Sequence, residues 1–248
     1  AAPGQHELNL RYAGALEMAD NHTIYKNGAK EIAHLQGKAL TFMAKPAIDQ
    51  PGSSCHIHSS IWSDDDRPLC PDSDDQSTMS TTMRQWMGGL IAHSRELSLC
   101  FAPFINSYKR YQPDSWAPTA VVWSPDNRTC GLRVVGTGPA MRVESRIPGA
   151  DCNAYVAFAA VIAAGLDGID QRLDCGEPYV GNAYSATDVE RIPWNLPEAI
   201  DLFDGSTFAR DSLGEDVHFH LLHAAREEWR AFNNVVTEWE LRRNFERI

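Results

Sequence analysis

The 248-residue sequence has no long apolar run and no clustered basic stretch. The longest apolar run, from Ala154 to Ala164, is too short to cross a bilayer, and the amino terminus lacks the charged segment and apolar core of a secretory signal. Lys and Arg number 22 against 33 Asp and Glu, so the net charge of −11 argues against nucleic acid or an anionic membrane as partner. These absences favour a cytosolic (cytoplasmic) protein that acts on small molecules.

The cysteines give no sign of a zinc site. Six of them are spread over the chain with no CxxC pair, whereas structural zinc sites usually need closely spaced ligand pairs. We therefore expect free thiols. The sequence also lacks an initiator methionine and runs from Ala1–Gly4 directly into a patterned segment, so we expect a fragment of a longer chain.

Hydrophobic periodicity and chain breakers divide the sequence into elements. No internal repeat or low-complexity linker interrupts it, so we expect one domain over residues 1–248. Strands are predicted over 4–12, 39–43 and 55–62, and short strands and turns over 104–146. Helices are predicted over 13–35, 81–96 and 153–173, the last apolar nearly all round and therefore buried. Loops over 63–80 and 176–193 and a helical tail complete the pattern.

Two predicted strands carry side chains that suit metal binding. Glu7 places a carboxylate on the first strand, although a surface or capping role fits it as well. His56 and His58 alternate onto one face of the strand 55–62, and Cys55 points to the other face. Such a histidine pair suits either a metal site or a polar surface.

A third segment combines charges of both signs. Arg142, Glu144 and Arg146 share one face if the segment is extended. That face suits either a site for a charged ligand or an exposed ladder of ion pairs, and the residues alone leave both alternatives open.

Seven segments resemble the glutamine synthetase family, in the same order and without internal gaps. The segments are Gly4–Glu7, Thr41–Pro46, Gly52–His58, Asn106–Arg110, Asn127–Thr129, Arg142–Asp151 and Ala163–Ile169. The chain is identified from them as the carboxy-terminal part of a glutamine-synthetase catalytic domain.

The resemblance implies an α+β fold with a curved, largely antiparallel half-barrel sheet and flanking helices. It also implies a ligase in which ATP phosphorylates the γ-carboxylate of glutamate and an amine or ammonia displaces phosphate from γ-glutamyl phosphate. Phosphoryl transfer concentrates negative charge, so such a site needs divalent cations and arginines. A homo-oligomer is implied for the full-length form, and neither nucleic acid nor membrane is expected as a partner.

The family pattern also implies a role for individual residues. By position, Glu7 matches a ligand of one metal, and His56 and Glu144 match ligands of a second. Oxygen ligands with one imidazole suit Mg²⁺ or Mn²⁺. The positions beside ATP are Tyr12, His58, Ser60, Arg128, Arg133 and Arg142. The positions that hold glutamate are Gly52, Arg110 and Arg146, and those expected to take part in catalysis are Arg128, Arg110 and Trp116.

Two features depart from the family pattern. The family takes further metal-binding glutamates from strands that precede the segment matched by Gly4, and a small amino-terminal domain completes the neighbouring subunit's site. The 248-residue chain alone is therefore expected to be inactive. Tyr184 lies near an adenylylated tyrosine of some bacterial members, but its surroundings match poorly and we expect no such regulation.

The second departure is Trp116. Ammonia-using members have a glutamate just before the Ala-Pro of this loop, which binds ammonium and takes its proton. An indole cannot accept a proton and offers apolar and cation–π contacts instead. Trp116 thus favours ligases that join glutamate to a larger amine, such as a polyamine or ethanolamine, with Asp114 as a possible substitute base. The alternatives are glutamine synthetase itself and a non-catalytic scaffold. The charged residues that match the family's site argue against the scaffold.

Overall fold

The protein is described by a computed structural model that covers residues 2–112 and 115–247. Within these residues the strands form a four-stranded sheet in the order β1-β4-β3-β2. The strands are β1 (Ile57–Ser59), β2 (Trp123–Pro125), β3 (Leu132–Val135) and β4 (Arg142–Ser145). The pairs β1–β4 and β3–β4 are antiparallel and β2–β3 is parallel. The predicted α+β class with a largely antiparallel sheet is confirmed.

The two faces of this sheet differ sharply in chemistry. On one face, Ile57, Leu132 and Val143 are buried in the hydrophobic core. The register places His58 and Arg133 directly opposite Glu144 on the two neighbouring strands. Since directly opposed residues share a face of the pleat, these three polar side chains project from the other face.

Nine α-helices lie among the described residues. They are α1 (Ala15–Leu35), α2 (Thr81–His93), α3 (Ser98–Phe101), α4 (Ile105–Lys109), α5 (Ala154–Asp170), α6 (Leu196–Gly205), α7 (Thr207–Leu213), α8 (Glu215–Asn233) and α9 (Glu238–Asn244). The long helices predicted from the sequence are confirmed as α1, α2 and α5. Among the described helices, none has both the length and the apolar character needed to cross a bilayer.

Glycines bring α2 and α5 into direct contact behind the sheet. A Cβ atom at Gly89 would overlap the carbonyl oxygen of Ala164, and one at Gly168 would overlap that of Gln85. One at Gly165 would overlap the indole of Trp86. The backbones can approach this closely only because these positions lack side chains.

Several sequence predictions about elements are wrong. Residues 4–12 and 39–43 form no strand, and only Ile57–Ser59 of the segment 55–62 is a strand. The alternating apolar residues of 4–12 have no strand to pair with among the described residues, so their side chains stay exposed. Helix α5 is not buried all round, since Leu166 is 51% exposed.

Candidate active site

Glu144 is the centre of a buried ion-pair network on the polar face of the sheet. Its Oε1 atom lies 3.0 Å from Nδ1 of His56 and accepts a hydrogen bond of 2.7 Å from Nη1 of Arg146. Its Oε2 atom accepts a hydrogen bond of 3.1 Å from Nη1 of Arg133. Glu144 itself is only 3% exposed. A carboxylate this deep is stable only because cationic and imidazole donors surround it.

These partners decide the charge of Glu144. Burial by itself would raise the pKa of the carboxyl group. The hydrogen bonds with His56 and Arg133 and the charges of Arg146 and His56 outweigh burial and lower the pKa to about 2. Glu144 therefore carries a full negative charge at any physiological pH.

His58 adds a neutral imidazole to the same face. Its Nδ1 atom accepts a hydrogen bond of 3.1 Å from Nε of Arg142, which requires Nδ1 to be unprotonated. Burial and the neighbouring charges of Arg142 and Arg133 lower the pKa of His58 below its ordinary value, although Glu144 acts in the opposite direction. The proton of the neutral ring is then on Nε2, which lies 3.9 Å from Oε1 of Glu144.

Arg146 has a buried donor that its pairing with Glu144 leaves unused. Its Nε atom is buried and has no hydrogen-bond partner among the residues that the structure covers. A buried N–H without an acceptor costs free energy, so this atom is suited to a ligand carboxylate.

Arg110, which the family resemblance assigns to glutamate, is bonded to the backbone around Arg146. It is buried, and its two Nη atoms donate to the backbone carbonyls of Ile147 and Arg146, at 2.8 and 2.9 Å. A Cβ at Gly52 would come within 2.8 Å of Cγ of Arg110. Arg110 therefore holds the backbone that carries Arg146, and Gly52 gives it room.

A cavity of about 790 Å³ opens beside this network. His58, Arg133 and Arg142 line it, together with Trp123 and Val135. Three residues that the sequence assigns to ATP are thus brought together around one cavity. Arg128 lies nearby in the exposed turn before β3, where the side chain of Asn127 accepts hydrogen bonds from Thr129.

Asp126 is a site residue that the sequence reasoning missed. It has a positive φ of 50°, and its carboxylate accepts hydrogen bonds from Nε and Nη2 of Arg133. Arg133 thus bridges Asp126 and Glu144. The Asp-Asn pair at 126–127 is a turn signal that could have drawn attention to this position.

The remaining predicted site residues make no hydrogen bond or ion pair with Glu144 within the described part of the chain. The segment of Glu7 is attached to the site because Nε2 of Gln5 donates to the carbonyl of Gly52 at 3.0 Å. Glu7 itself is exposed and lies outside the sheet, which contradicts its predicted place on a strand. Tyr12 is 85% exposed, and Ser60 accepts a hydrogen bond from the indole of Trp62 at 3.0 Å.

Trp116 stands out by its backbone and its exposure. Its φ is +63°, a region that bulky residues rarely adopt, and its side chain is 75% exposed. Such strain persists only where the surrounding structure imposes it, and it is common at functional sites. Asp114, the possible substitute base, lies outside the described residues.

The donor atoms present fit a divalent cation in part. His56 and Glu144 offer an imidazole and a carboxylate that already meet at 3.0 Å. The described residues contain no group of three or more His, Cys, Asp or Glu side chains placed to hold a metal. Mg²⁺ commonly takes one or two protein ligands and completes its shell with water and substrate phosphates, so the pair suits such an ion.

A buried carboxylate paired with two arginines and a histidine thus lies beside a cavity, on a largely antiparallel sheet. The family model of the glutamine synthetase catalytic domain matches residues 1–244. The chain belongs to the glutamine synthetase family.

Relatives within the family include ligases for amines other than ammonia. The chain is 51% identical over 246 residues to a gamma-glutamylethanolamide synthetase of Streptomyces coelicolor, covering 99% of this chain and 52% of that protein. It is 38% identical over 244 residues to a glutamate–isopropylamine ligase of a Pseudomonas species, covering 97% and 53%. Glutamine synthetases match as well. The chain spans about half the length of the curated relatives it matches.

A solved structure supports the same placement. The complex of GmaS with ADP superposes with a TM-score of 0.88 at 32% sequence identity, covering 96% of this chain and 56% of that one.

Proposed function

We propose that the native protein containing this chain is an ATP-dependent ligase that joins the γ-carboxylate of glutamate to an amine through γ-glutamyl phosphate. The observation that carries the proposal is Glu144, bound by His56, Arg133 and Arg146. Of these partners, Arg133 also lines the cavity of about 790 Å³. The ethanolamine and isopropylamine ligases among the relatives support the proposal.

ATP is the proposed occupant of the cavity. Arg133 and Arg142 line it and offer guanidinium forks to phosphate oxygens. His58 contributes a neutral Nε2–H donor, since its Nδ1 accepts from Arg142. The exposed Arg128 completes the cationic surface, and Tyr12 and Ser60 are proposed to lie along the base and ribose. The ADP bound to the GmaS relative supports a nucleotide here.

Glutamate is proposed to bind next to Arg146. The unpartnered Nε of Arg146 would donate to a substrate carboxylate, and the bond from Nη1 to Glu144 fixes the plane of the guanidinium. Arg110 acts as a positioning residue, because it holds the carbonyls of Arg146 and Ile147. Gly52 permits the close approach of Arg110.

Mg²⁺ or Mn²⁺ would be held by His56 and Glu144, with Glu7 as a ligand of a second ion. Such an ion, when bound, neutralises phosphate charge and polarises the phosphoryl group. Glu144 stays ionised at working pH because its pKa is about 2, so it is ready to ligate a cation without releasing a proton. The family resemblance also leads us to propose a homo-oligomer for the native protein.

Amine selection is assigned to Trp116. Its exposed indole gives the incoming amine an apolar wall and no proton acceptor. An alkyl amine gains contact area there, whereas ammonia gains none. The second candidate is glutamine synthetase activity with ammonia, which the glutamine synthetases among the relatives favour.

The proposal is tested by phosphate release from the native protein with ATP, Mg²⁺, glutamate and a panel of amines that includes ammonium, ethanolamine, isopropylamine and a polyamine. We expect release only when ATP, glutamate and an amine are all present, with an alkyl amine used better than ammonium. Equal or better use of ammonium would favour the second candidate. Release independent of both glutamate and amine would refute both.

A further inference from the structure

A short turn is fixed against the site by contacts from several elements. The 3-10 turn Ala183–Ser185 follows Asn182, whose side chain caps the backbone N–H of Tyr184 at 3.0 Å. The backbone N–H of Ala183 donates to Oγ1 of Thr129 at 2.9 Å, and Ala183 is fully buried against Ala120 and Cys130. The turn is therefore attached to the loop that carries Arg128.

Arg191 joins this turn to the loop that carries Trp116. Its Nη1 atom donates to Oγ1 of Thr119 at 2.7 Å, three residues beyond Trp116. Its Nη2 atom lies within hydrogen-bond distance of two carbonyl oxygens of the turn, Ala183 and Tyr184, both at 3.3 Å, and of the carbonyl of Ala186 just after it, at 2.6 Å. One guanidinium thus fixes the turn and the loop relative to each other.

This turn lies next to the backbone that carries Arg146, because Cys130, which packs on Ala183, precedes Gly131, whose carbonyl accepts a hydrogen bond of 2.9 Å from the backbone N–H of Arg146. Burial raises the pKa of Tyr184, while the positive charges of Arg146 and Arg110 act on the same hydroxyl in the opposite direction. Tyr184 is 40% exposed, so the ring is neither a core side chain nor fully in solvent. Arg110 donates to the carbonyl of Arg146 at 2.9 Å, so both charges come from one fixed unit.

We propose that Tyr184 is a second specificity-determining residue for the amine, held beside the glutamate site by Arg191, and that its hydroxyl favours primary amines that carry a hydroxyl group of their own. The inference rests on the proposed ligase function and specifies its amine. Arg191 is a positioning residue, because it acts through the turn and the loop and needs no contact with the amine.

The chemistry of the Trp116 indole and the Tyr184 phenol explains the preference for a hydroxylated amine. Trp116 can offer an apolar surface to the carbon chain of an amine, but it gives no acceptor. A protonated phenol is both donor and acceptor, so it can bond the distal hydroxyl of the amine. A site that hydrogen-bonds a substrate hydroxyl discriminates against the analogue that lacks it, because its own polar group is then left unpaired.

The test compares two amines of nearly equal size, ethanolamine and n-propylamine, in the native protein with saturating ATP and glutamate. We expect Tyr184→Phe to lower the ratio of kcat/KM for ethanolamine over n-propylamine by about tenfold. KM for ATP and for glutamate should change less than about twofold, because neither substrate is assigned to this hydroxyl. Arg191→Met should lower the same ratio, and the double variant should lower it no further than either single variant.

Tyr179→Phe is the matched control. Tyr179 belongs to the same segment and packs on the small cluster of Ala120, Cys130 and Ala183, and this variant also loses only a hydroxyl. We expect it to leave the ratio unchanged. If the unaltered protein uses amines and Tyr184→Phe also leaves the ratio unchanged, the inference is overturned and the proposed function stands. If the unaltered protein releases no amine-dependent phosphate, the proposed function is overturned and the inference with it.

Discussion

Replacement of Glu144 by an uncharged isostere tests the centre of the site. Glu144→Gln keeps the volume and removes the charge that binds His56, Arg133 and Arg146. Loss of one preorganised electrostatic group typically costs about 10² to 10³ in kcat, and we expect kcat for phosphate release to decrease by a factor in that range. Glu31→Gln on the exposed surface of α1 is the control and should leave kcat unchanged. An unaltered rate in Glu144→Gln would contradict the assigned role.

Trp116 is the residue that we propose to select between a larger amine and ammonia. Trp116→Glu restores a cation partner and a proton acceptor in the loop, so we expect it to shift preference from isopropylamine toward ammonium. One pocket contact usually discriminates by about 1–3 kcal/mol, which gives a shift of roughly 10- to 200-fold in the ratio of kcat/KM values. Steady-state kinetics with each amine measures the ratio.

A second exposed tryptophan provides the matched control for this change. Trp239 on α9 is 66% exposed, and Trp239→Glu introduces the same charge elsewhere on the surface. It should leave the ratio unchanged. A protein that already uses ammonium as well as isopropylamine would show that Trp116 is not a selectivity element.

At the scale of single residues, the sequence predicts which side chains share a face of a strand better than it predicts which residues they contact. The pleat of a strand places alternate side chains together, so the shared face of Arg142 and Glu144 follows from spacing alone. The pairing of Arg133 with Glu144 depends on the register of β3 against β4, which no local pattern contains. Arg110 shows the same limit, since the family resemblance assigns it to glutamate, but no local pattern indicates that its Nη atoms donate to the carbonyls of Ile147 and Arg146.

At the scale of elements, a histidine joins three helical segments through two carboxylates. Nδ1 of His93, on α2, lies 2.5 Å from Glu96, and Nε2 lies 2.8 Å from Asp167 on α5. The ring stacks on Phe208 of α7 with centroids 3.5 Å apart, and Ser206 donates to Glu96 at 2.5 Å. Burial opposes protonation, but the hydrogen bonds to both carboxylates raise the pKa of His93 above its ordinary value.

This bridge predicts a pH dependence of stability. Because the pKa is higher in the folded state, the bridge stabilises fully below the unfolded pKa of about 6.5, and its contribution is lost as pH rises through the folded pKa. Urea unfolding at pH 6 and pH 9 should show that His93→Gln costs more at pH 6 than at pH 9. His220→Gln, at an exposed position of α8, should show no such difference. A loss of unfolding free energy in His93→Gln that is larger at pH 9 than at pH 6 would contradict the bridge.

The close α2–α5 contact leads to a second prediction at the scale of elements, which concerns stability. Gly89→Ala places a Cβ on the carbonyl of Ala164, which cannot move without separating the helices, so we expect a loss of about 3 kcal/mol or more in the free energy of unfolding. Gly28→Ala lies within α1 with no atom within 4 Å of the new Cβ and should stabilise by about 0.4–1 kcal/mol. Urea unfolding measures both, and equal effects would refute the close-contact account.

Helices and strands differ in how far local pattern determines them. Helix α1 begins within two residues of its predicted start and ends at the predicted Leu35, because its backbone hydrogen bonds are internal. The segment 4–12 has strand periodicity, but a strand needs a neighbour, and the described residues supply none. Its alternating pattern therefore could not decide its structure.

At the scale of the whole molecule, the charge of the site is opposite in sign to the net charge of the chain. The chain carries a net charge of −11, yet Arg133, Arg142 and Arg146 gather on one face of one sheet. Only some of their guanidinium donors are taken up by Glu144, Asp126 and His58. Composition alone argued against anionic polymers as partners, and the seven family segments were needed to predict that a small anionic substrate binds here.

The most direct test of the central claim follows an oxygen atom. The native protein is supplied with ATP, Mg²⁺, ethanolamine and glutamate that carries ¹⁸O in its γ-carboxylate, and the released phosphate is analysed by ³¹P NMR. An acyl phosphate forms when the γ-carboxylate attacks the terminal phosphorus, and the amine then expels phosphate that retains one glutamate oxygen. We predict one ¹⁸O atom in each phosphate released, together with an equal amount of γ-glutamyl amide. Phosphate without ¹⁸O would contradict the account.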